Sequence, residues 1–556
     1  MKKYIIKAFA AVAFSTAMVG CSDFGDVNSD PEHPNGGNIN QALVFSAAQH
    51  QALGSDWDVA RGALAYTMQF VQQLSCLTNY TGNAFYVWND GYAASYWDAV
   101  SGGRRGAAYF ITDVMRKWEG DPAYKMDYNM ARVIRVYIYQ RLSDLYGDVQ
   151  YTQGGQPDLY GYPVYDKQED VYTDFLKELD EAQQAFAEGG TAQVGKQDLY
   201  YQGNIEKWRK FTNSLMLRVA MRLSKIKPDV AKEYAAKAVA NGVILDNADN
   251  AMLQHTDGDP NNDSAEPYGK VLTMSDGAGI YFLSKTFVDL LKDTNDPRLA
   301  LISTVCKDGP NFTYTNTDYN TGNSDPAIQQ GLPSGYQMTD GEWYIGKDYP
   351  KTENGKDYWG LTVKVGTSET EIPKYKTEYS TVNRQTYSDP KAPTMIITAA
   401  EDYLLMAEAA YREWISGDAK VYYEKGVRAA MTQFSAYPNA KSLIETYLKE
   451  DAITKYLQDN PYDAGKALEQ INTQYYIATF CDAYETYANW RRSGYPELTA
   501  VKGAATYPNS VTKTYIPRRF TYPVSESTIN KANYEEALTR LGGKDDFTTR
   551  VWWDKE

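Results

Sequence analysis

The sequence predicts a mainly α fold, and three observations carry that expectation. Apolar residues recur at helical spacing over most of the chain. Several of these runs come in pairs joined by tight turns. One stretch of roughly ninety residues, rich in Gly, Asn, Asp, Pro and Tyr, breaks the period and supplies the irregular remainder.

The chain opens with an exception. Lys2, Lys3 and Lys7 make a positive start, and residues 8–19 form an apolar run too short to span a bilayer. The run breaks at "MVGC" (18–21), which resembles a lipobox, with Met18 where a leucine is usual. Residues 1–20 therefore read as a lipoprotein signal and Cys21 as the lipidated residue. An ordinary cleaved signal with a coincidental cysteine is the alternative. Residues 21–38, "CSDFGDVNSDPEHPNGGN", read as a flexible tether.

Helical patterns then take over. In "ARVIRVYIYQRLSDLYGD" (131–148), Val133, Val136, Tyr137 and Gln140 share a face and Gly147 is the stop. In "QEDVYTDFLKELDEAQQAFAEGG" (168–190), Val171, Phe175, Leu179 and Phe186 form one stripe. "NIEKWRKFTNSLMLRVAMRLSKIKPD" (204–229) stacks Trp208, Phe211, Leu215 and Val219, and Pro228 starts the alanine-rich partner 228–242. A second pair is predicted over 399–434, turning at Ser416-Gly417-Asp418. Alanine-lined pairs of this kind resemble tetratricopeptide hairpins, and a plain helical bundle accounts for the same pattern. Residues 305–395 are the loop-rich stretch, with "LTVKVGTS" and "KYKTEYSTV" as short strands. Long loops with many aromatics point to binding.

Charge and composition exclude several functions. The formal charge of −15 becomes about −18 once the three leader lysines are removed, which argues against phosphate-backbone binding and nucleic acid as a partner. Beyond Cys21, Cys76, Cys306 and Cys481 are an odd, widely spaced set, neither a disulfide framework nor a thiolate metal site. The three histidines lie at no ligand spacing. "HTDGDPNND" (255–263) alternates acidic residues as calcium loops do, but has Asn262 and Tyr268 where glycine and glutamate belong, so it reads as a solvated turn. No residue pattern calls for a metal or a cofactor.

Seven blocks in order resemble the SusD/RagB family of outer-membrane nutrient-binding lipoproteins. They are "DLYGDVQY" (144–151), "PVYDKQEDVYTDFLKELDEA" (163–182), "DLYYQGNIEKWRKFTNSLMLRVAMRLS" (198–224), "NDPR" (295–298), "EDYLLMAEAAYR" (401–412), "YANWRRSGYPEL" (487–498) and the tail from "IPRRFTYPVSES". The resemblance implies a mainly α fold with a tetratricopeptide-like helical-repeat scaffold, an irregular loop-rich region and few short strands. It divides the chain into a helical region at 39–304, loops at 305–395 and a C-terminal helical region at 396–556 packed on the same body.

It also implies a non-catalytic binding protein, lipid-anchored in the outer membrane and facing the cell exterior. Such a protein passes oligosaccharide, or in some members peptide, to a SusC-like TonB-dependent barrel. An enzyme built on two carboxylates and a repeat scaffold for other proteins are the rival classes, and no nucleophile motif or phosphate loop supports the first.

Sugar rings lie on aromatic faces while their hydroxyls need nearby donors and acceptors. Two stretches offer that mixture: Asn83, Trp88, Asn89, Asp90 and Tyr92 in "NYTGNAFYVWNDGY", and Trp343, Tyr344, Tyr358 and Trp359 in 336–360. Tyr96 and Trp97 read as core, and Arg491 and Arg492 as structural ion-pair formers.

Overall fold

A computed structural model describes residues 39–76, 85–256, 258–259, 263–273, 280–305, 322–335, 379–501, 504–505, 507 and 509–556, with backbone alone for the strands between 337 and 372. The helices that build the body are α1 (Gln41–Gln51), α2 (Ala107–Trp118), α3 (Lys125–Tyr146), α4 (Gln168–Ala187), α5 (Ile205–Arg222), α6 (Pro228–Asn241), α7 (Ala399–Tyr411), α8 (Ala419–Thr432), α9 (Ala467–Ala478) and α10 (Ala483–Ser493). From α2 to α6 each helix packs on the next, and α7 packs on both α8 and α9. This is a tetratricopeptide-like arrangement of helix pairs.

The predicted stripes face the core: Val133, Val136, Tyr137, Val171, Phe175, Leu179, Phe186, Trp208, Phe211, Leu215 and Val219 are all buried. Each such side chain contributes roughly 1.5–3 kcal/mol when fully removed from water. α3 is buried on nearly every side, so its polar residues need partners within the body. Gly147 ends it at φ +96°, a left-handed conformation that glycine adopts without cost. The 204–229 run ends sooner than its pattern implies: α5 stops at Arg222, and a turn leads to Pro228.

Buried ion pairs join the N-terminal helices to the C-terminal ones. Arg141 on α3 meets Asp482 at 2.7 Å, Arg218 on α5 meets Glu401 at 2.6 Å, and Arg222 meets Glu485 at 2.6 Å. Arg492 grips Glu408 through both terminal nitrogens at 2.7 and 2.8 Å, as a structural pair. Arg491 differs from its expected role. Among the described residues no carboxylate lies within pairing distance; its guanidinium stacks on Tyr487 (4.1 Å) and Trp553 (4.9 Å) and donates to the Arg518 carbonyl. Aromatic faces and a carbonyl satisfy a buried guanidinium here.

Strands are short. β1 (Leu74–Cys76) pairs antiparallel with β3 (Tyr281–Leu283), β2 (Ala251–Gln254) with β11 (Pro393–Ile397), and β4 (Ser303–Thr304) with β10 (Thr381–Val382). In the loop-rich stretch, β8 (Leu361–Val365) pairs with β9 (Ser368–Ile372) and with β5 (Gln337–Met338), and β6 (Lys351–Glu353) pairs with β7 (Lys356–Tyr358). Of "KYKTEYSTV", only Thr381–Val382 is a strand among the described residues. The chain either side of this stretch is laced together: Leu283 N–H donates to the Ser380 carbonyl, Leu332 N–H to Leu283, and Ser75 Oγ to Pro333.

Candidate functional site

A nine-residue π-helix, Val59–Thr67, organises one face of the molecule. The wider turn leaves carbonyls short of regular partners, and two side chains answer them. Thr67 Oγ1 donates to Gly62 and Ala63, and Gln69 Nε2 to Leu64 and Ala65. Gly62 permits a close approach. A Cβ there would lie 2.3 Å from the Tyr484 hydroxyl and 2.6 Å from Ser95 Oγ, both of which bond to Asp58. Burial raises the Asp58 carboxyl to about 7, although Tyr484, Ser95 and Arg141 pull the other way.

The π-helix presents Tyr66 inward and Arg61 outward. The Tyr66 ring is enclosed by Phe70, Tyr92, Phe520 and Phe547 with centroids 5.0–5.8 Å away. Its hydroxyl donates to the Val87 carbonyl at 3.0 Å and accepts from Asn89 N–H at 2.8 Å. That bracket holds the segment carrying Trp88. The indole N–H donates to Thr521 Oγ1 at 2.9 Å, while 42% of Trp88 stays exposed. An aromatic ring fixed at one edge and open on its surface is ordered before any ligand arrives.

Trp57 is 65% exposed and carries the Arg61 guanidinium over its ring at 4.6 Å. None of the Arg61 N–H groups has a hydrogen-bond or ion-pair partner among the described residues. Arg61 also reaches the Trp88 loop: a Cβ built on Gly91 would lie 3.9 Å from its Nη1. Arg61, its donors free, therefore links exposed Trp57 to the loop that carries exposed Trp88. This pairing escaped the sequence reading, although Trp57 and Arg61 stand at i,i+4, a spacing that places side chains in contact on a helix.

The other sequence candidates divide. Asn89 caps the short helix Asp90–Ala93, its Oδ1 accepting from Tyr92 N–H. Asp90 Oδ1 accepts from Val524 N–H at 3.0 Å, tying the loop to the C-terminal segment. Tyr92 packs edge-on against Tyr66 and is half-buried. Tyr358 lies in β7, opposite Lys351. Asn83, Trp343, Tyr344 and Trp359 lie outside the described residues, as do Cys21 and Cys306. Tyr96 and Trp97 are core residues in the helix Ser95–Ser101. Asp263, from the acidic turn, pairs with Lys270 at 3.0 Å. Cys76 is buried in β1, and Cys481 is a free thiol.

No described helix is long and apolar enough to cross a membrane. The SusD-like family model described as starch-binding and associating with the outer membrane matches residues 36–339. The model of SusD and RagB outer-membrane lipoproteins matches residues 334–554. No curated protein matches the chain. Among solved structures, a chitin-binding protein is 29% identical with a TM-score of 0.74, covering 93% of this chain and 100% of its own. A Bacteroidetes SusD-like protein, AC2a, is 26% identical with a TM-score of 0.75 and the same coverage. A chitin-binding SusD homologue from Flavobacterium johnsoniae, 24% identical over 93% of this chain and 99% of its own, shares the fold with a TM-score of 0.69. The chain belongs to the SusD/RagB family of outer-membrane lipoproteins.

Proposed function

We propose that this protein captures oligosaccharide at the cell surface, held to the outer membrane by lipid on Cys21, and passes it without turnover to a SusC-like TonB-dependent barrel. The observation that carries the binding half is exposed Trp57 beneath Arg61, which reaches the loop of exposed Trp88. Each indole offers a face to the C–H side of a sugar ring, and the free guanidinium N–H groups meet its hydroxyls. Two of the similar solved structures are chitin-binding proteins, which supports a glycan as the ligand class. The barrel and the outward orientation rest on the family resemblance. Asn83, Trp343, Tyr344, Tyr358 and Trp359 are further proposed contacts, drawn from the sequence.

The test is migration through native gels cast with different polysaccharides. Retardation by one polymer is expected, and Trp57→Ala or Trp88→Ala weakens it about tenfold, as loss of one aromatic contact worth ~1–1.5 kcal/mol does. Unchanged migration in every polymer, together with binding of peptides, overturns the glycan reading. New reducing ends after incubation with oligosaccharide overturn the non-catalytic one.

A further inference from the structure

The helix Pro267–Thr273 packs against the π-helix, and just before its start three segments meet at one hydroxyl. His255 follows β2, Thr394 lies in β11, and Glu266 directly precedes the helix. His255 is 5% exposed and Glu266 4%. Thr394 Oγ1 lies 2.9 Å from His255 Nε2 and 3.2 Å from Glu266 Oε1. At the two ends of this chain, His255 Nδ1 lies 2.9 Å from the Ser264 carbonyl oxygen, and Glu266 Oε2 accepts from Gly269 N–H at 2.6 Å.

The acceptors fix the proton count. A carbonyl can only accept, so His255 Nδ1 carries a hydrogen. Thr394 has one hydrogen for two contacts. The second hydrogen comes either from Glu266 as a neutral acid, or from Nε2 of an imidazolium standing near a carboxylate.

The surroundings select the neutral acid. Glu266 is faced by Asp389 from the turn before β11 and by Cys481, Asp482 and Tyr437 around a cavity of about 20 Å³, room for one water. Lys270 on the helix is engaged with Asp56 and Asp263, and exposed Lys391 lies by Gly258. Among the described residues no cation pairs with Glu266. Burial pushes its carboxyl up to about 8, against the pull of the Gly269 and Tyr268 amides. Burial also holds His255 below its ordinary value, with His50 adding to the drop against the pull of Ser264. Glu266 therefore donates to Thr394, and Thr394 donates to His255 Nε2.

We propose that Glu266, Thr394 and His255 form a proton-dependent latch: seating the helix Pro267–Thr273 against β11 takes up one proton, held by Glu266, and the closed latch steadies the Trp57 face. With the proton in place every group of the chain is paired. Without it the carboxylate takes the Thr394 hydrogen, and His255 Nε2 meets Thr394 Oγ1 as acceptor against acceptor, a contact that must open. The link to the aromatic face runs through Lys270, which holds Asp56 at 3.1 Å, directly before Trp57. The bearing on ligand rests on the glycan reading above; the latch itself does not.

Nuclear magnetic resonance of the purified chain, isotope-labelled at its three histidines, tests the proton count. His255 is expected as a neutral ring at pH 7 with its hydrogen on Nδ1. Its Nε2 signal shifts again near pH 8, where the ring has no proton of its own left to lose. Glu266→Gln removes that second step, because the amide N–H donates to Thr394 in place of the acid, and Thr394→Ser retains it. An imidazolium at pH 7, or a single step in the parent, overturns the proposal.

Hydrogen exchange, corrected for the intrinsic rate, tests the latch. A carboxyl raised in the closed state gives contacts fully present below about pH 4.5 and lost as pH rises towards 8. Protection at residues 267–273 and 56–59 is therefore expected to fall about tenfold per pH unit over that range, one proton per opening, and to level off above it. Glu266→Gln removes this slope. The same slope in Glu266→Gln overturns the latch, and a slope at 267–273 without one at 56–59 overturns its link to Trp57. Loss of glycan binding in every condition, with both signatures intact, counts against the glycan reading alone.

Discussion

Replacing Glu408 by glutamine removes the charge from a buried carboxylate held by two guanidinium groups. Glu408 on α7 is 1% exposed and takes both terminal nitrogens of Arg492 on α10, itself 2% exposed, with Arg412 also 2.9 Å from its Oε1. Burial alone would raise its pKa, but Arg492 and Arg412 outweigh it and hold the carboxyl at about 2, against an ordinary 4.5. That difference is worth about 3 kcal/mol of folding free energy. The same figure follows from the other side, since stripping one partner from a buried pair costs about 3–5 kcal/mol.

The sign fixes the pH window. A depressed folded-state pKa gives stability that is fully present above about pH 4.5 and is lost as pH falls towards 2. Urea unfolding of the parent and Glu408→Gln is therefore expected to differ by about 3 kcal/mol at neutral pH, the gap closing as the medium is acidified. Adding Arg492→Met to the variant costs far less than the sum of the two single changes, because the guanidinium is already orphaned. A difference below about 1 kcal/mol at pH 7, or one that stays constant into acid, refutes the claim that this pair ties α7 to α10.

Three further outcomes are expected. Tyr66→Phe keeps the ring cluster but loses the hydroxyl that brackets Val87 and Asn89; stability falls by about 1 kcal/mol, and faster hydrogen exchange at residues 87–90 accompanies weaker glycan binding. Gly62→Ala drives a methyl into Tyr484 and Ser95 and destabilises by about 1–3 kcal/mol, readable as a lowered unfolding midpoint. Asp58, raised to about 7 by burial, costs stability as pH rises from about 4 to 7, where the unfolded state ionises first; Asp58→Asn flattens that part of the stability–pH profile.

Helix positions were legible because burial follows a 3.6-residue period that the chain displays directly: the α3, α4 and α5 stripes, the Pro228 start of α6, the Gly147 stop and the turn at Ser416-Gly417-Asp418 all stand where the pattern puts them. The ordered family blocks were legible too, since "KWRKFTNSLMLRVAMR" and "YANWRRSGYPEL" bring buried charges into fixed places on α5 and α10. The proposed binding face was legible only in part. Trp88 stands out as an aromatic among polar neighbours, but the sequence says nothing of the Thr521 bond that fixes it or of Asn89 and Asp90 serving as cap and anchor.

Tertiary structure alone decided which distant residues meet. Arg491 and Arg492 are adjacent and chemically identical, yet a helix turns successive side chains by about 100°, sending one to Trp553 and the other to Glu408. For the same reason Arg61, on a helix wider than any local pattern announces, comes to bridge Trp57 and the loop of Trp88. Periodicity is a property of neighbours along the chain, whereas a site is made by neighbours in space.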